Sequence, residues 1–236
     1  MTTGSTIASP LTSGQLTDKL WIRVKSEVAY RRIVSAWDSR RFNEIRERYR
    51  AEENTTGGKR HAPYKYLDYA EFLRSRLRLA MRLGLDYAPK LNVLDLGSGA
   101  GYFLVACRYF GHSVLGLDID GVPLYDDLVR FFDLPRITHA IQANEPLPAL
   151  PSKMDLINAH AIVFNNREGV FWSAAEWKYF VGDIHSRLNP GGRLFLGIST
   201  DDALANGVRD FLASAPGFTT HVLANRQFIL TASTQG

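Results

Sequence analysis

The chain has a single cysteine in 236 residues, Cys107, so no intrachain disulfide can form and a reducing compartment is expected. Cys107 stands among apolar residues of a helical pattern and reads as packed rather than reactive. No apolar run approaches the ~18 residues of a membrane span, and no membrane partner is expected. The opening MTTGSTIASPLTSG lacks the basic start and apolar centre of a signal peptide and reads as a flexible tail. Together these place the protein in the cytoplasm as an expectation. There is no internal repeat and no low-complexity segment. A hydrophobic fraction of 45% and a charged fraction of 22% are those of an ordinary globular chain.

Charge is distributed unevenly. Residues 1–90 carry 18 Lys+Arg against 10 Asp+Glu, and residues 91–236 carry 10 against 14, so a balance of +8 gives way to −4 within the overall +4. This supports a boundary near Leu91 and raises the question of an acidic partner, nucleic acid included. Leu16 to Asn54 reads as helix in two pieces, with Leu20, Val24, Val28 and Ile33 as one apolar face and Asp38 as cap of the second piece. That second piece, SRRFNEIRERYR, interleaves arginines with acids: Arg40 with Glu44, and Glu44 with Arg48. Phe42, Ile45 and Tyr49 are its apolar positions. Residues 52–63 read as a loop, and a helix starts at Asp68, where Asp68 and Glu71 have the spacing of a capping box.

The most informative stretch is LNVLDLGSGAGYF, from Leu91 to Phe103. Val93, Leu94 and Leu96 are enough for a short buried strand. Gly97, Gly99 and Gly101 alternate after it, and Phe103, Leu104, Ala106 and Cys107 recur at helical spacing up to Gly111. The pattern is strand, tight turn, helix. Glycine is needed where a turn visits positive φ or a ligand lies against bare backbone, and a helix start offers unpaired N–H groups. A dinucleotide-binding turn would require a third glycine at 102, where Tyr102 stands. Asp95, two residues before the first glycine, would repel a pyrophosphate and attract a cation.

With this D-x-G-x-G-x-G stretch the chain resembles the class I S-adenosylmethionine-dependent methyltransferases. The resemblance implies S-adenosylmethionine as cofactor, an ammonium and a sulfonium being compatible with the acid. It implies cofactor contacts from Asp95, Gly97, Ser98, Gly99, Gly101 and Tyr102. SVLGLDID (113–120) is an apolar strand ending in acids, and Asp118 matches the family's ribose-binding acid, with Ile119 beside it. Two neighbouring hydroxyl donors suit a carboxylate that only accepts.

A helix through Leu124, Leu128 and Phe131 leads to a third strand near 137–142. Where many relatives carry an acid for the adenine amino group, this chain has Ala143 and Asn144. MDLINAHAIVF is the fourth strand, and its polar end holds Asn158, His160, Asn165 and Asn166. Asn158 is a further expected cofactor contact. His160 reads either as a general base or as a hydrogen-bonded structural residue. No Asn-Pro-Pro-Tyr stretch and no Lys/Asp/His metal constellation is present, so no metal is expected. Ser173 and Glu176 form a second capping box before a helix with Trp177, Phe180, Val181, Ile184 and Leu188 as its stripe. Asn189 to Gly192 stops that helix and RLFLGIS is the fifth strand. A helix over 202–213 and a hairpin of FTTHVLA and QFILTAS around Asn225 and Arg226 complete the chain.

Strand and helix alternation predicts an α/β fold with a doubly wound sheet. The resemblance makes it seven-stranded and mostly parallel, with a C-terminal antiparallel hairpin and an N-terminal helical extension. The expected organisation is a tail (1–15), a helical cover for the substrate (16–90) and a cofactor-binding domain (91–236). Three functional readings follow: a methyltransferase for a small-molecule acceptor, with oxygen as a candidate atom; a nucleic-acid methyltransferase using the basic helices; and a non-catalytic binding domain. The interleaved acids argue against nucleic acid.

Overall fold

The computed structural model describes residues 15–55, 63–167 and 169–233. The tail expected up to residue 15 lies outside them apart from Gln15, and so does most of the loop expected over 52–63. The remainder clusters into two compact units. Residues up to Lys90 form the first together with Ala100–His112 and Pro123–Asp133; Leu91–Gly99, Ser113–Val122 and the residues from Leu134 onward form the second. Two helices that follow Leu91 in sequence thus cluster with the N-terminal segment.

The first unit is helical: α1 (Gln15–Ser35), α2 (Ser39–Thr55), a 3-10 turn (Tyr64–Leu67), α3 (Tyr69–Arg82), α4 (Tyr102–Tyr109) and α5 (Pro123–Phe131). Asp38 caps α2 as expected, its Oδ1 accepting from the Arg41 N–H at 3.0 Å. Phe42, Ile45 and Tyr49 are all buried, one turn apart along α2. Helix extends through Thr55, past the point where a loop was expected to begin.

Two expectations fail in this unit. Of the apolar face that the spacing named on α1, Ile33 is buried, together with Ser26 and Ala29, while Leu20, Val24 and Val28 are exposed. α1 packs on α3, and the small side chains of Ser26 and Ala29 permit a close approach that the larger ones would block. Asp68 makes no side-chain cap hydrogen bond to α3. Its Oδ1 accepts instead from Arg50 Nη2 at 2.6 Å, so a charged partner from α2 outcompetes the local cap.

The second unit is built on a seven-stranded sheet. Its parallel strands are β1 (Asn92–Leu96), β2 (Ser113–Asp118), β3 (Arg136–Thr138) and β4 (Met154–Ile162); a two-stranded hairpin, β5 (Asn166–Arg167) and β6 (Val170–Phe171), stands apart. β7 (Leu188–Ile198) is the fifth parallel strand, and β8 (Phe218–Ala224) and β9 (Gln227–Ala232) are antiparallel. The order is β3-β2-β1-β4-β7-β9-β8. The five parallel strands thus run 3-2-1-4-5, the doubly wound order, which reverses between β1 and β4.

Register sorts the side chains onto two faces, because neighbours in one row point the same way. Leu94, Ile157, Leu194 and Leu230 make one row. They belong to a core that includes Trp177, Phe180, Val181 and Ile184 of α6 (Ala174–Arg187) and Val208 and Leu212 of α7 (Val208–Ala213). Burying each large side chain is worth ~1.5–3 kcal/mol. The adjacent row, on the opposite face, reads Asp95, Asn158, Phe195, Ile229. It carries the polar residues.

The Ser173 capping box forms in full: Ser173 Oγ accepts from the Glu176 N–H, and Glu176 Oε2 accepts from the Ser173 N–H at 2.7 Å. Three elements differ from expectation. β3 is shorter than 137–142. Asn189 to Gly192 is drawn into the start of β7, where a Cβ on Gly192 would lie 2.8 Å from the Asn189 carbonyl oxygen. The helix expected over 202–213 is divided, since Asn206 and Gly207 have φ of 55° and 81° and α7 begins only at Val208.

Candidate active site

The site starts from the glycine turn. Gly97, Gly99 and Gly101 have φ of 69°, 53° and 78°, a region that an L side chain rarely adopts. A Cβ on Gly97 would meet nothing within 4 Å, so there the conformation, not crowding, requires glycine. The Gly97 N–H donates to the Leu117 carbonyl at 2.8 Å, tying the turn to β2.

Asp118, the last residue of β2, then closes on the same turn. Its Oδ2 accepts from the Gly99 N–H and its Oδ1 from the Ile119 N–H at 2.8 Å. A carboxylate has about four acceptor positions, so two remain for a ligand. The side chain is half-buried, whereas Ile119 and Asp120 are exposed. Position and orientation are thus fixed before any ligand arrives.

Asp95 and Asn158 are paired in register on β1 and β4, where the strand order reverses. Both are buried, at 4% and 2% exposure, and Asn158 Nδ2 donates to Asp95 Oδ1. This leaves Asn158 Oδ1 buried and unpartnered, and Ser98 Oγ is in the same condition. Unsatisfied buried polar atoms are costly and call for an explanation. A ligand ammonium or hydroxyl at this end of the sheet would supply the missing donor. Among the described residues no cluster of His, Cys, Asp and Glu is arranged to hold a metal ion.

His160 lies two residues beyond Asn158 on the same face of β4. Its ring stacks on Phe195 at 5.9 Å and 9°, and a Cβ on Gly197 would come within 2.8 Å of its Cδ2. The strand is irregular just there: the register shifts between His160 and Ile162, and Ala161 has φ of 57°. A bulge of this kind re-aims side chains at a sheet end. Nothing in the sequence marks it, since alanine has no preference for positive φ.

The other expected residues are placed as follows. Gly101 and Tyr102 fall in the helical unit, where Gly101 precedes α4 and the buried Tyr102 donates its hydroxyl to the Tyr66 carbonyl at 2.7 Å. Burial pushes the Tyr102 phenol well above its usual range. Ala143 packs against the core of the sheet unit, and Asn144 is exposed in a left-handed turn conformation. Sequence reading did not single out Arg187. Its Nε donates to Asp183 at 2.9 Å and its Nη1 to the Pro148 carbonyl at 2.7 Å, while Asp183 accepts from the Leu147 N–H, so α6 holds the loop before β4.

No family model and no curated protein matches the chain. Among solved structures it is similar to a ribosomal protein L11 methylase from Lactobacillus delbrueckii subsp. bulgaricus, with 23% identity and a TM-score of 0.47 over 69% of this chain and 80% of that one. Human N-acetylserotonin methyltransferase in complex with SAM shows 16% identity and a TM-score of 0.43, over 73% of this chain and 54% of that one. The N-methyltransferase NodS from Bradyrhizobium japonicum WM9 shows 18% and 0.47, over 68% and 94%. Likenesses this distant transfer neither an acceptor nor a site residue. The strand order, the terminal antiparallel pair and the three-glycine turn make this a doubly wound, mostly parallel α/β fold, as the sequence led one to expect.

Proposed function

We propose that this chain is an S-adenosylmethionine-dependent methyltransferase acting on a small-molecule acceptor, with oxygen the first atom to test. The observation that carries the reading is Asp118, fastened to the glycine turn by two backbone N–H groups with acceptor positions remaining. Asp118 would hold the ribose hydroxyls. Asp95, Asn158 Oδ1 and Ser98 Oγ supply a buried carboxylate and two unmet polar atoms suited to an ammonium. S-adenosylmethionine, when bound, supplies a methyl group already activated on a sulfonium.

What remains for the protein is alignment, exclusion of water and, for a hydroxyl or protonated amine, removal of a proton. His160 is the candidate for that proton. The ring is fixed by stacking on Phe195, which suits a positioned base. A small-molecule acceptor is favoured over nucleic acid because Arg48 and Arg50 are engaged by Asp127 and Asp68.

Calorimetry on the purified protein tests the cofactor: S-adenosylmethionine or its demethylated product is expected to bind in the micromolar range, as an order of magnitude, and NAD not at all. Saturable NAD binding without a response to either would overturn the reading. Labelled S-adenosylmethionine offered with metabolite extracts, and in parallel with RNA and DNA, tests the acceptor class.

A further inference from the structure

Helix α1 has two apolar faces and uses one. Ser26, Ala29 and Ile33 are buried as α1 packs on α3. Leu20, Val24 and Val28 follow one another at four-residue intervals on the other side, with Trp21 next to them. They are 66%, 50%, 46% and 59% exposed respectively. Isolated exposed apolar residues need no explanation, but a continuous ridge of four on one helix marks an interaction surface.

Charge narrows the partner. Arg23, Arg31 and Arg32 are exposed on the same helix. Glu27, the acid among them, is engaged by Arg74 at 2.7 Å and by Arg31 at 3.2 Å. Lys25 lies over the Trp21 ring at 5.1 Å and bonds Asp86 at 3.1 Å. The ridge is therefore apolar, and on its margin Glu27, the acid between Arg23 and Arg32, is already engaged by arginines. A second copy of the chain would set Arg23 and Arg32 against cations of the same kind. An anionic lipid surface offers both an apolar layer and negative charge. It also needs just one face of a helix whose other face is fixed.

We propose that this face of α1 docks on an anionic lipid surface, lying in the headgroup plane with Leu20, Trp21, Val24 and Val28 inserted and the arginines among the headgroups. No helix among the described residues is long and apolar enough to cross a membrane, and docking of this kind requires none. The expectation of no membrane partner rested on the lack of a spanning segment, a separate matter. The inference does not depend on the proposed methyl transfer.

The test uses the full chain with vesicles of phosphatidylcholine containing about a quarter phosphatidylserine, and with phosphatidylcholine alone, at about 0.1 M salt. The expected result is partition onto the anionic vesicles, weakened about tenfold or more by Val24→Glu, by Leu20→Glu, or by about 0.5 M salt. Trp21 is the exposed tryptophan, Trp37 being half-buried and Trp172 and Trp177 buried, so emission should shift to shorter wavelength on binding and Trp21→Phe should remove the shift. Both charge substitutions fall at exposed positions, and unchanged melting temperatures would show that the fold is intact. No partition, equal partition onto phosphatidylcholine alone, or partition indifferent to both substitutions overturns the proposal. A dimer abolished by Val24→Glu, without vesicle binding, would assign the face to a second copy and overturn it as well.

Discussion

Asp95 and Asn158 sit side by side on adjacent parallel strands, and the Asn158 amide donates to the Asp95 carboxylate at the point where the strand order reverses. The pairing settles which end of the Asn158 side chain is available. Nδ2 is committed to Asp95, and Oδ1 is left as a buried acceptor. A carboxylate and an amide oxygen presented together favour a cationic ligand group over a phosphate. This is the charge preference that Asp95 implies at the level of sequence, now with a second residue enforcing it.

Replacing Asn158 by Leu should therefore damage two properties. Asp95 loses a buried donor, at a cost of about 1–3 kcal/mol, which for a chain of this size lowers the melting temperature by roughly 2–4 °C per kcal/mol. Affinity for S-adenosylmethionine should fall as well, since the free Oδ1 is removed. Thermal melts and calorimetry on the same preparation check both. A variant that melts lower but binds as before would restrict Asn158 to a structural role.

Asp118→Ala should weaken cofactor binding by about 1.5–3 kcal/mol, the range for hydrogen bonds to a charged group, with the sheet intact. Asp118 is half-buried at a strand end, outside the apolar core. Asp95→Ala should weaken binding too, and also lower stability, because its neighbour Asn158 is then left with an unmet donor. Calorimetry separates the two variants. Affinity unchanged from wild type in both variants would mean that the cofactor does not bind at this end of the sheet.

How much of this could be read beforehand follows from range. The glycine turn, the strand before it and the Ser173–Glu176 cap are made by residues a few positions apart, so the sequence displays them directly. Asp68 carries an equally good local signal and yet forms no cap, because Arg50 reaches it from another helix. Leu20, Val24 and Val28 were legible as an apolar face, but α1 has two such faces, and periodicity does not say which one meets α3. The bulge at Ala161 and the burial of Asn165, with both of its amide atoms unpartnered, arise from pairing and packing between distant segments. Asp118 was legible as a candidate through the resemblance and not through periodicity, but its bond to the Gly99 N–H, 19 residues earlier, was not.

Acid should loosen the contact between α1 and α3 in a defined window. Arg74 holds the Glu27 carboxyl at about 2, against a usual 4.5, chiefly through its hydrogen bond, with Arg31 adding to it. The folded-state value is depressed, so the stabilisation is complete above the unfolded value and is lost as pH falls from about 4.5 towards 2. Melting temperatures of the wild type and Glu27→Gln should differ by a constant amount between about pH 5 and 7 and converge below about 4.5. A difference that persists at the acid end would mean that the Glu27 charge is not what joins the two helices.

Binding to nucleic acid should be negligible at physiological salt, in spite of the +8 balance of residues 1–90. In α2, Arg48 Nη1 donates to Asp127 at 2.8 Å, Arg50 Nη2 to Asp68 at 2.6 Å, and Arg40 lies 3.8 Å from Glu44. These cations are partly neutralised within their own unit, which lowers the field that a phosphate backbone would meet. The aromatic residues of the helix, Phe42 and Tyr49, are buried, so they provide no stacking platform for single strands. Gel-shift titrations at low and physiological salt check the expectation, because phosphate contacts release counterions and give a steep salt dependence. Tight binding at about 0.15 M salt, lost when Arg41 and Arg46 are reversed in charge, would instead make RNA or DNA the leading acceptor class and α2 its docking element.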